Sequence, residues 1–174
     1  MTSELLGDFE AYGWISRYAF GETSGWSLTT AGTARNEQQL SAELAAVGGR
    51  DTIEAIYADF LPSNDLLQRA STNWQLRPSD QDAMAQNHHD DDDWDAAVLA
   101  SLVELQASLG GLEARLVDVL SRFADYQARF HAAVDRTRAG DLRWVTGVGI
   151  DSCHTVWMEL HEDLLATLGR SRTA

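Results

Sequence analysis

Apolar residues recur along most of this chain at intervals of three and four, which is the period of an amphipathic helix. The segments with this pattern are residues 3–12, 30–47, 51–61, 63–74, 94–123, 126–138 and 151–168. We expect Pro62 to separate the third segment from the fourth, which Ser63 can cap, and the Gly110–Gly111 pair to break or kink the fifth. Proline and glycine are both unfavourable inside helices. The pattern therefore predicts a mainly α-helical fold.

Residues 14–29 have a different pattern, which predicts a β-hairpin. Residues 14–20 are rich in aromatic and β-favouring side chains, residues 21–25 are turn formers, and residues 26–29 form the returning strand. Thr29 or Thr30 is expected to cap the helix that follows. The predicted fold class is therefore mainly α, a helical bundle with an N-terminal β-hairpin.

The string GWSLTTAG at residues 25–32 resembles the wing strand and the following LT-x-x-G turn of MarR-like winged-helix transcriptional regulators. The resemblance covers about residues 3–48. It implies that Leu28 enters the core and that Gly32 opens the helix leading out of the DNA-binding domain. It also implies a wing that contains Arg17, Gly21 and Gly25, with the wing tip at residues 21–25.

By the same resemblance, residues 3–12 correspond to the end of a recognition helix, although the helices that should precede it are absent. This segment carries Glu4, Asp8 and Glu10 and no basic residue, whereas recognition helices present basic or amide side chains to DNA. We expect residues 1–48 to form a partial winged-helix module whose DNA-reading half is missing or degenerate. Residues 49–174 would form a helical ligand-sensing or dimerisation domain.

The charge of the chain disfavours contact with DNA. There are 27 acidic residues against 13 basic ones, all of them arginine, which gives a net charge of −14. A field of that sign repels nucleic acid, because non-specific affinity for DNA comes mainly from cationic side chains. The single cysteine, Cys153, excludes an internal disulfide. With no apolar run of membrane length and no signal-peptide pattern, the sequence predicts a soluble, cytoplasmic protein.

Tryptophan and its polar neighbours suggest a ligand site between helices. His154, Trp157 and His161 are spaced i, i+3 and i+7, so they share one face of the last predicted helix. Aromatic walls with a few convergent polar groups are typical of small-molecule sites. The candidate ligand-binding residues, for an aromatic or anionic effector, are Trp74, Arg77, Trp144, His154, Trp157 and His161. The competing interpretation is ordinary core packing of the indoles and imidazoles.

Two other clusters of reactive residue types have simpler explanations. His88, His89 and the aspartates at 90–93 match no closed metal-site spacing, and we interpret them as a solvated run whose last member caps a helix starting at Trp94. Metal binding there stays open, and no cofactor is predicted. Cys153 and His154 are sequence neighbours, which point about 100° apart on a helix. A catalytic pair is therefore not expected, and the chain is not predicted to be an enzyme.

Two classes of function remain open. The first is the sensor domain of a MarR-like regulator that binds a small molecule between helices and contacts DNA only in a longer form or with a partner. The second is a stand-alone helical binding or structural protein without DNA activity. A metal-dependent enzyme is a third and weaker alternative. The resemblance also implies a homodimer in which residues 30–47 pair with their copy.

Overall fold

The computed structural model describes residues 2–21 and 23–170 of the chain. Over these residues it is mainly helical, with a single two-stranded hairpin, which confirms the predicted fold class. A short 3-10 turn lies at Ser121–Phe123. The elements are α1 (Thr2–Ala11), β1 (Ile15–Phe20), β2 (Thr23–Leu28), α2 (Thr30–Ala46), α3 (Arg50–Gln75), α4 (Asp92–Val119), α5 (Tyr126–Arg138), α6 (Arg143–Thr146) and α7 (Cys153–Leu168).

The chain forms two compact units, with divisions after Gly48 and after Leu164. The first, called the hairpin unit, contains α1, β1, β2, α2 and the last turn of α7. The second, called the helical unit, contains α3 to α6 and most of α7.

In the hairpin unit, α1 ends where Gly13 adopts a left-handed conformation with φ of 71°. The N–H groups of Gly13 and Trp14 donate to the carbonyls of Glu10 and Phe9, each at 2.9 Å. This is the Schellman pattern of helix termination. The rings of Phe9 and Trp14 lie 5.7 Å apart, which supplies the apolar contact that usually accompanies it. The turn therefore fixes the direction in which β1 leaves the helix.

Hydrogen bonds within the segment Leu28 to Gly32 determine how β2 connects to α2. Thr29 Oγ1 accepts from the N–H of Gly32 at 3.0 Å and so caps α2. The same hydroxyl donates to the carbonyl of Gly13 at 2.5 Å, and the N–H of Thr29 donates to the carbonyl of Trp14. One threonine thus joins the end of α1, the hairpin and the start of α2.

Two expectations for the hairpin are wrong. Gly25 is not in the wing tip, because it lies inside β2 opposite Tyr18, and the turn connects the paired residues Phe20 and Thr23. Gly21 is in that turn with φ of 59°, whereas Glu22 lies outside the described residues. The Tyr18 ring covers the space beside Gly25, which explains a glycine within a strand. Leu28 does not enter the core, since it is 54% exposed opposite the buried Ile15.

In the helical unit, α3 and α4 run through the residues expected to break them. α3 continues through Pro62 because it buries one stripe on both sides of it, from Ile53 to Phe60 and from Leu67 to Trp74. α4 continues through Gly110 and Gly111, flanked by the buried Leu109 and Leu112. Tertiary burial here outweighs local helix propensity. The predicted bounds of α5, residues 126–138, are confirmed.

Helix α4 is the central element of the helical unit, with contacts to both α3 and α5. Among the described helices it is the one long and apolar enough to cross a membrane, by length and composition alone. It also carries Glu104, Glu113, Arg115 and Asp118, and its buried side chains form a single stripe that includes Leu102, Leu105, Leu109 and Leu116. The core helix of a soluble protein meets the same criteria of length and composition.

Candidate functional site

The six predicted ligand-binding residues fall into separate groups of contacts. Trp74 and Arg77 contact the segment between α3 and α4. Trp144 contacts residues at the end of α5 and just after it. Trp157 and His161 pack on α3, and His154 is half-buried one turn before Trp157. That these residues bind a ligand stays a prediction.

Trp74 belongs to a network centred on the buried Asn87. The Asn87 amide donates to the carbonyl of Trp74 at 3.1 Å and to Asp95 Oδ1 at 3.0 Å, while its oxygen accepts from the N–H of His89. His89 Nδ1 lies 2.8 Å from Asp95 Oδ2, and its ring lies 4.4 Å from that of Trp74. His89 has a positive φ of 56°, which these contacts hold in place. The network fixes the loop onto the start of α4.

The aspartate run has the structural role expected of it, but a different member caps the helix. Asp91, not Asp93, is the N-cap of α4, and its Oδ1 accepts from the N–H groups of Asp93 and Trp94 at 3.1 Å each. Arg77 pairs with Asp91 and with Asp90, the latter at 3.0 Å. Asp91 directly precedes the first helical residue, Asp92, and has the extended backbone of an N-cap, whereas Asp93 already lies within the helix. No group of three histidine, cysteine or acidic residues within the described ranges could hold a metal ion.

Trp144 is held against the end of α5 by two polar neighbours. Its indole N–H donates to Asp141 Oδ2 at 3.0 Å, and the guanidinium of Arg136 lies 3.9 Å from the ring centre. Arg143 also donates to Asp141, and this hydrogen bond lowers the pKa of the carboxyl. The indole N–H of Trp144 therefore already has a partner within the protein.

Trp157 is fully buried in an aromatic cluster. Its ring stacks on Phe60 with centres 5.1 Å apart and meets Phe130 edge-on at 5.7 Å. His161, also buried, lies 5.3 Å from the Phe60 ring and 3.3 Å from the Tyr57 hydroxyl. These contacts are those of a packed core, which is the competing interpretation of the sequence.

Cys153 precedes Trp157 by four residues in the sequence and is also fully buried. Burial raises the pKa of its thiol to about 12, so the thiol is protonated at neutral pH. Only the thiolate is a good nucleophile. The environment of Cys153 is therefore that of an inert buried thiol.

A cavity of about 190 Å³ opens between α3 and α4, and none of the six predicted residues lines it. Its floor is formed by the buried Ala70 and Val98, and Trp94 forms part of its wall. The indole N–H of Trp94 donates to the carbonyl of Asn73 at 2.7 Å, which fixes the plane of the ring. The remaining lining residues are Leu66, Arg69, Asn73, Ala97 and Ser101.

Arg69 is the charged group of this cavity. It also lines a neighbouring hollow of about 340 Å³, together with Asn73 and with Asp65, Gln68 and Thr72. Among the described residues it has no hydrogen bond or ion pair, although most other arginines of this acidic chain are paired with a carboxylate or stacked on a ring. An unpaired guanidinium beside an apolar cavity can bind a carboxylate or another oxyanion.

Sequence reasoning missed this cavity, although part of its signal is visible. Leu66, Ala70 and Asn73 share a face of α3, and Trp94, Val98 and Ser101 share a face of α4. Helical spacing shows which residues of one helix lie together. It does not show which two helices pair, so the two sets are joined only in the folded structure.

Comparison of the chain with protein-family models, curated proteins and solved structures finds no match. The resemblance to MarR-like regulators therefore stays a prediction from residues 25–32.

Proposed function

We propose that this chain is a binding protein, not an enzyme, whose helical unit holds a small anion with an apolar body. The observation that carries the proposal is Arg69, which has no partner among the described residues, at a cavity walled by Trp94. The anionic group would pair with the guanidinium, and the apolar body would lie over Ala70 and Val98. Such a protein would serve as the sensor part of a cytoplasmic regulator.

The size and lining of the cavity favour a compact ligand. About 190 Å³ is below the range of roughly 300–1,000 Å³ typical for drug-sized ligands. A single ring or a short branched chain carrying one carboxylate is of the right size. Asp65 in the neighbouring hollow adds a negative charge there, so the anionic group is expected to lie on the cavity side of Arg69.

Isothermal titration with benzoate and with benzyl alcohol tests the proposal, because the two probes share a ring and differ in charge. We expect benzoate to bind and the alcohol to bind more weakly. In Arg69→Gln the affinity for benzoate should fall about tenfold or more, since charge-assisted hydrogen bonds contribute about 1.5–3 kcal/mol.

Arg138 supplies the matched control for this experiment. Arg138 is exposed on α5, and like Arg69 it has no ion pair within the described part of the chain. Arg138→Gln makes the same change of net charge at a different place and should leave benzoate binding unchanged. Equal weakening in both variants would mean that benzoate responds to total charge, and the proposed site would be wrong.

A second candidate function is DNA binding as a MarR-like regulator, which the β2–α2 junction favours. The Leu28–Gly32 segment forms a capped, glycine-dependent turn as an LT-x-x-G motif would require. Against DNA binding, the one arginine of β1, Arg17, is stacked over Trp26 and lies 3.9 Å from Glu10.

Titration of a labelled DNA fragment from upstream of the protein's own gene, at two salt concentrations, tests this second function. Binding that weakens as salt rises would support it, and no binding would exclude this chain as a DNA reader.

A further inference from the structure

Two opposite charges line the hollow beside the Arg69 cavity without pairing. Asp65 and Arg69 are four residues apart on α3, so they lie on successive turns of one face. Opposite charges at this spacing attract one another, and Arg50 and Glu54 at the start of α3 form such a pair at 3.4 Å. Among the described residues, neither Asp65 nor Arg69 makes a hydrogen bond or an ion pair. The hollow therefore presents two opposite charges to any small molecule that enters it.

The rest of the hollow is also polar. Gln68, Thr72 and Asn73 line it, and within the described part of the chain their side chains have no hydrogen-bond partner. Amide and hydroxyl groups can both donate and accept hydrogen bonds. The hollow can therefore hold a charged head group, which the apolar floor of the cavity cannot.

The hollow and the cavity adjoin along α3. Arg69 and Asn73 line both of them. Asp65 lines the hollow alone, whereas Ala70 of α3 and Val98 of α4 line the cavity alone. A carboxylate, a guanidinium and an apolar cavity thus follow one another along this part of the helix.

We infer that the ligand of this site is an apolar α-amino acid; the inference rests on the proposed function and narrows its ligand class. The carboxylate of the amino acid pairs with Arg69 on the cavity side, and its ammonium pairs with Asp65 on the side of the hollow. Its side chain lies over Ala70 and Val98. An α-amino acid carries these three groups on one carbon atom, as a site divided at Arg69 requires.

The charge of the chain favours a zwitterion over a simple anion. With a net charge of −14 the protein repels an anion at long range, whereas a zwitterion carries no net charge. Close to the site, Asp65 opposes a lone carboxylate and attracts an ammonium group. The cavity of about 190 Å³ has to hold only the side chain of the amino acid, because the head group lies at the hollow.

Isothermal titration of the full chain with L-phenylalanine and with 3-phenylpropionate tests the inference, because the two probes differ only by the ammonium group. We expect L-phenylalanine to bind more tightly. In Asp65→Asn the affinity for L-phenylalanine should fall about fivefold, the upper end of the range for an exposed ion pair. The affinity for 3-phenylpropionate should stay the same or rise in this variant, whereas Arg69→Gln should weaken the binding of both probes.

Asp118→Asn is the matched control, because Asp118 is exposed on α4 and has no ion pair in the described ranges. It lies about 30 Å along the helix from Val98. The control makes the same change of net charge and should leave both affinities unchanged, and circular dichroism verifies that each variant keeps its helices.

Equal weakening of L-phenylalanine binding in Asp65→Asn and Asp118→Asn overturns the inference, since the ligand then responds to total charge. Binding of 3-phenylpropionate as tight as that of L-phenylalanine also overturns it, while the proposed anion site stands if Arg69→Gln weakens that binding. If neither probe binds, the proposed function fails together with the inference.

Discussion

Gly32 and Trp14 approach so closely that a side chain at position 32 cannot be accommodated without movement of the backbone. A Cβ atom placed on Gly32 would lie 1.8 Å from the carbonyl oxygen of Trp14. That carbonyl also accepts from the N–H of Thr29, so it is held in position. The glycine of the LT-x-x-G string is therefore required by contact with the start of the hairpin, and not by an unusual φ.

Gly32→Ala is expected to destabilise the hairpin unit by about 1–3 kcal/mol, as overpacking at a rigid site does. Urea unfolding followed by tryptophan fluorescence measures the loss. Gly7→Ala in α1 is the control, because nothing lies within 4 Å of the added methyl group. The control should be neutral or slightly stabilising, since alanine favours helix. Equal effects of the two substitutions would contradict the importance of the contact.

Gly111→Ala is expected to stabilise the helical unit by about 0.5–1 kcal/mol. Position 111 lies inside α4, and no atom lies within 4 Å of an added Cβ. Alanine loses less backbone entropy than glycine on forming helix. At Gly110 the same atom would lie 2.7 Å from the Gln127 amide, so Gly110→Ala should gain less. Thermal unfolding by circular dichroism compares the two, and a loss of stability in Gly111→Ala would contradict the prediction.

Asn87→Ala is expected to cost about 2–4 kcal/mol, because it removes the hydrogen bonds of a buried side chain to Trp74, His89 and Asp95. Hydrogen exchange of the His89 amide should also become faster. His88→Ala, at an exposed neighbouring position, should change neither quantity. A loss below about 0.5 kcal/mol in Asn87→Ala, the range of ordinary surface substitutions, would show that the loop is held by other contacts.

Acid is expected to destabilise the contact between α5 and the start of α7. Hydrogen bonds from Arg129 lower the pKa of Asp151, with distances of 2.9 and 3.0 Å. In the unfolded chain this carboxyl has a pKa of about 3.9. The unfolded state therefore takes up its proton first, and this contribution to stability is present above about pH 4 and is lost as the pH falls further.

In Arg129→Gln the free energy of unfolding at neutral pH should fall by roughly 0.2–1 kcal/mol, the range for exposed ion pairs. Its decrease on acidification should also be shallower. Urea unfolding at a series of pH values measures both. Parallel pH profiles for the two proteins would mean that the pair does not contribute to acid sensitivity.

The sequence predicted those elements whose signals are local. The bounds of α5 and the end of α1 at Gly13 follow from helical spacing and glycine, and the structure has both. Pro62 and the Gly110–Gly111 pair were expected to interrupt helices, but α3 and α4 run through them because burial on both sides outweighs the local cost. The pairing of α3 with α4 depends on contacts between residues more than 20 positions apart. The cavity between these two helices, which Arg69 lines, depends on the same contacts.

The loop between α3 and α4 is closed at its base, and this makes its tip a convenient place for protein engineering. Leu76 and Gln86 form a bridge, and Asn87 holds the returning chain against Gln75 and Trp74. Between them, residues 78–84 are exposed. A spectroscopic label or a short affinity tag inserted after Asp82 would therefore extend into solvent while the helices on either side keep their pairing.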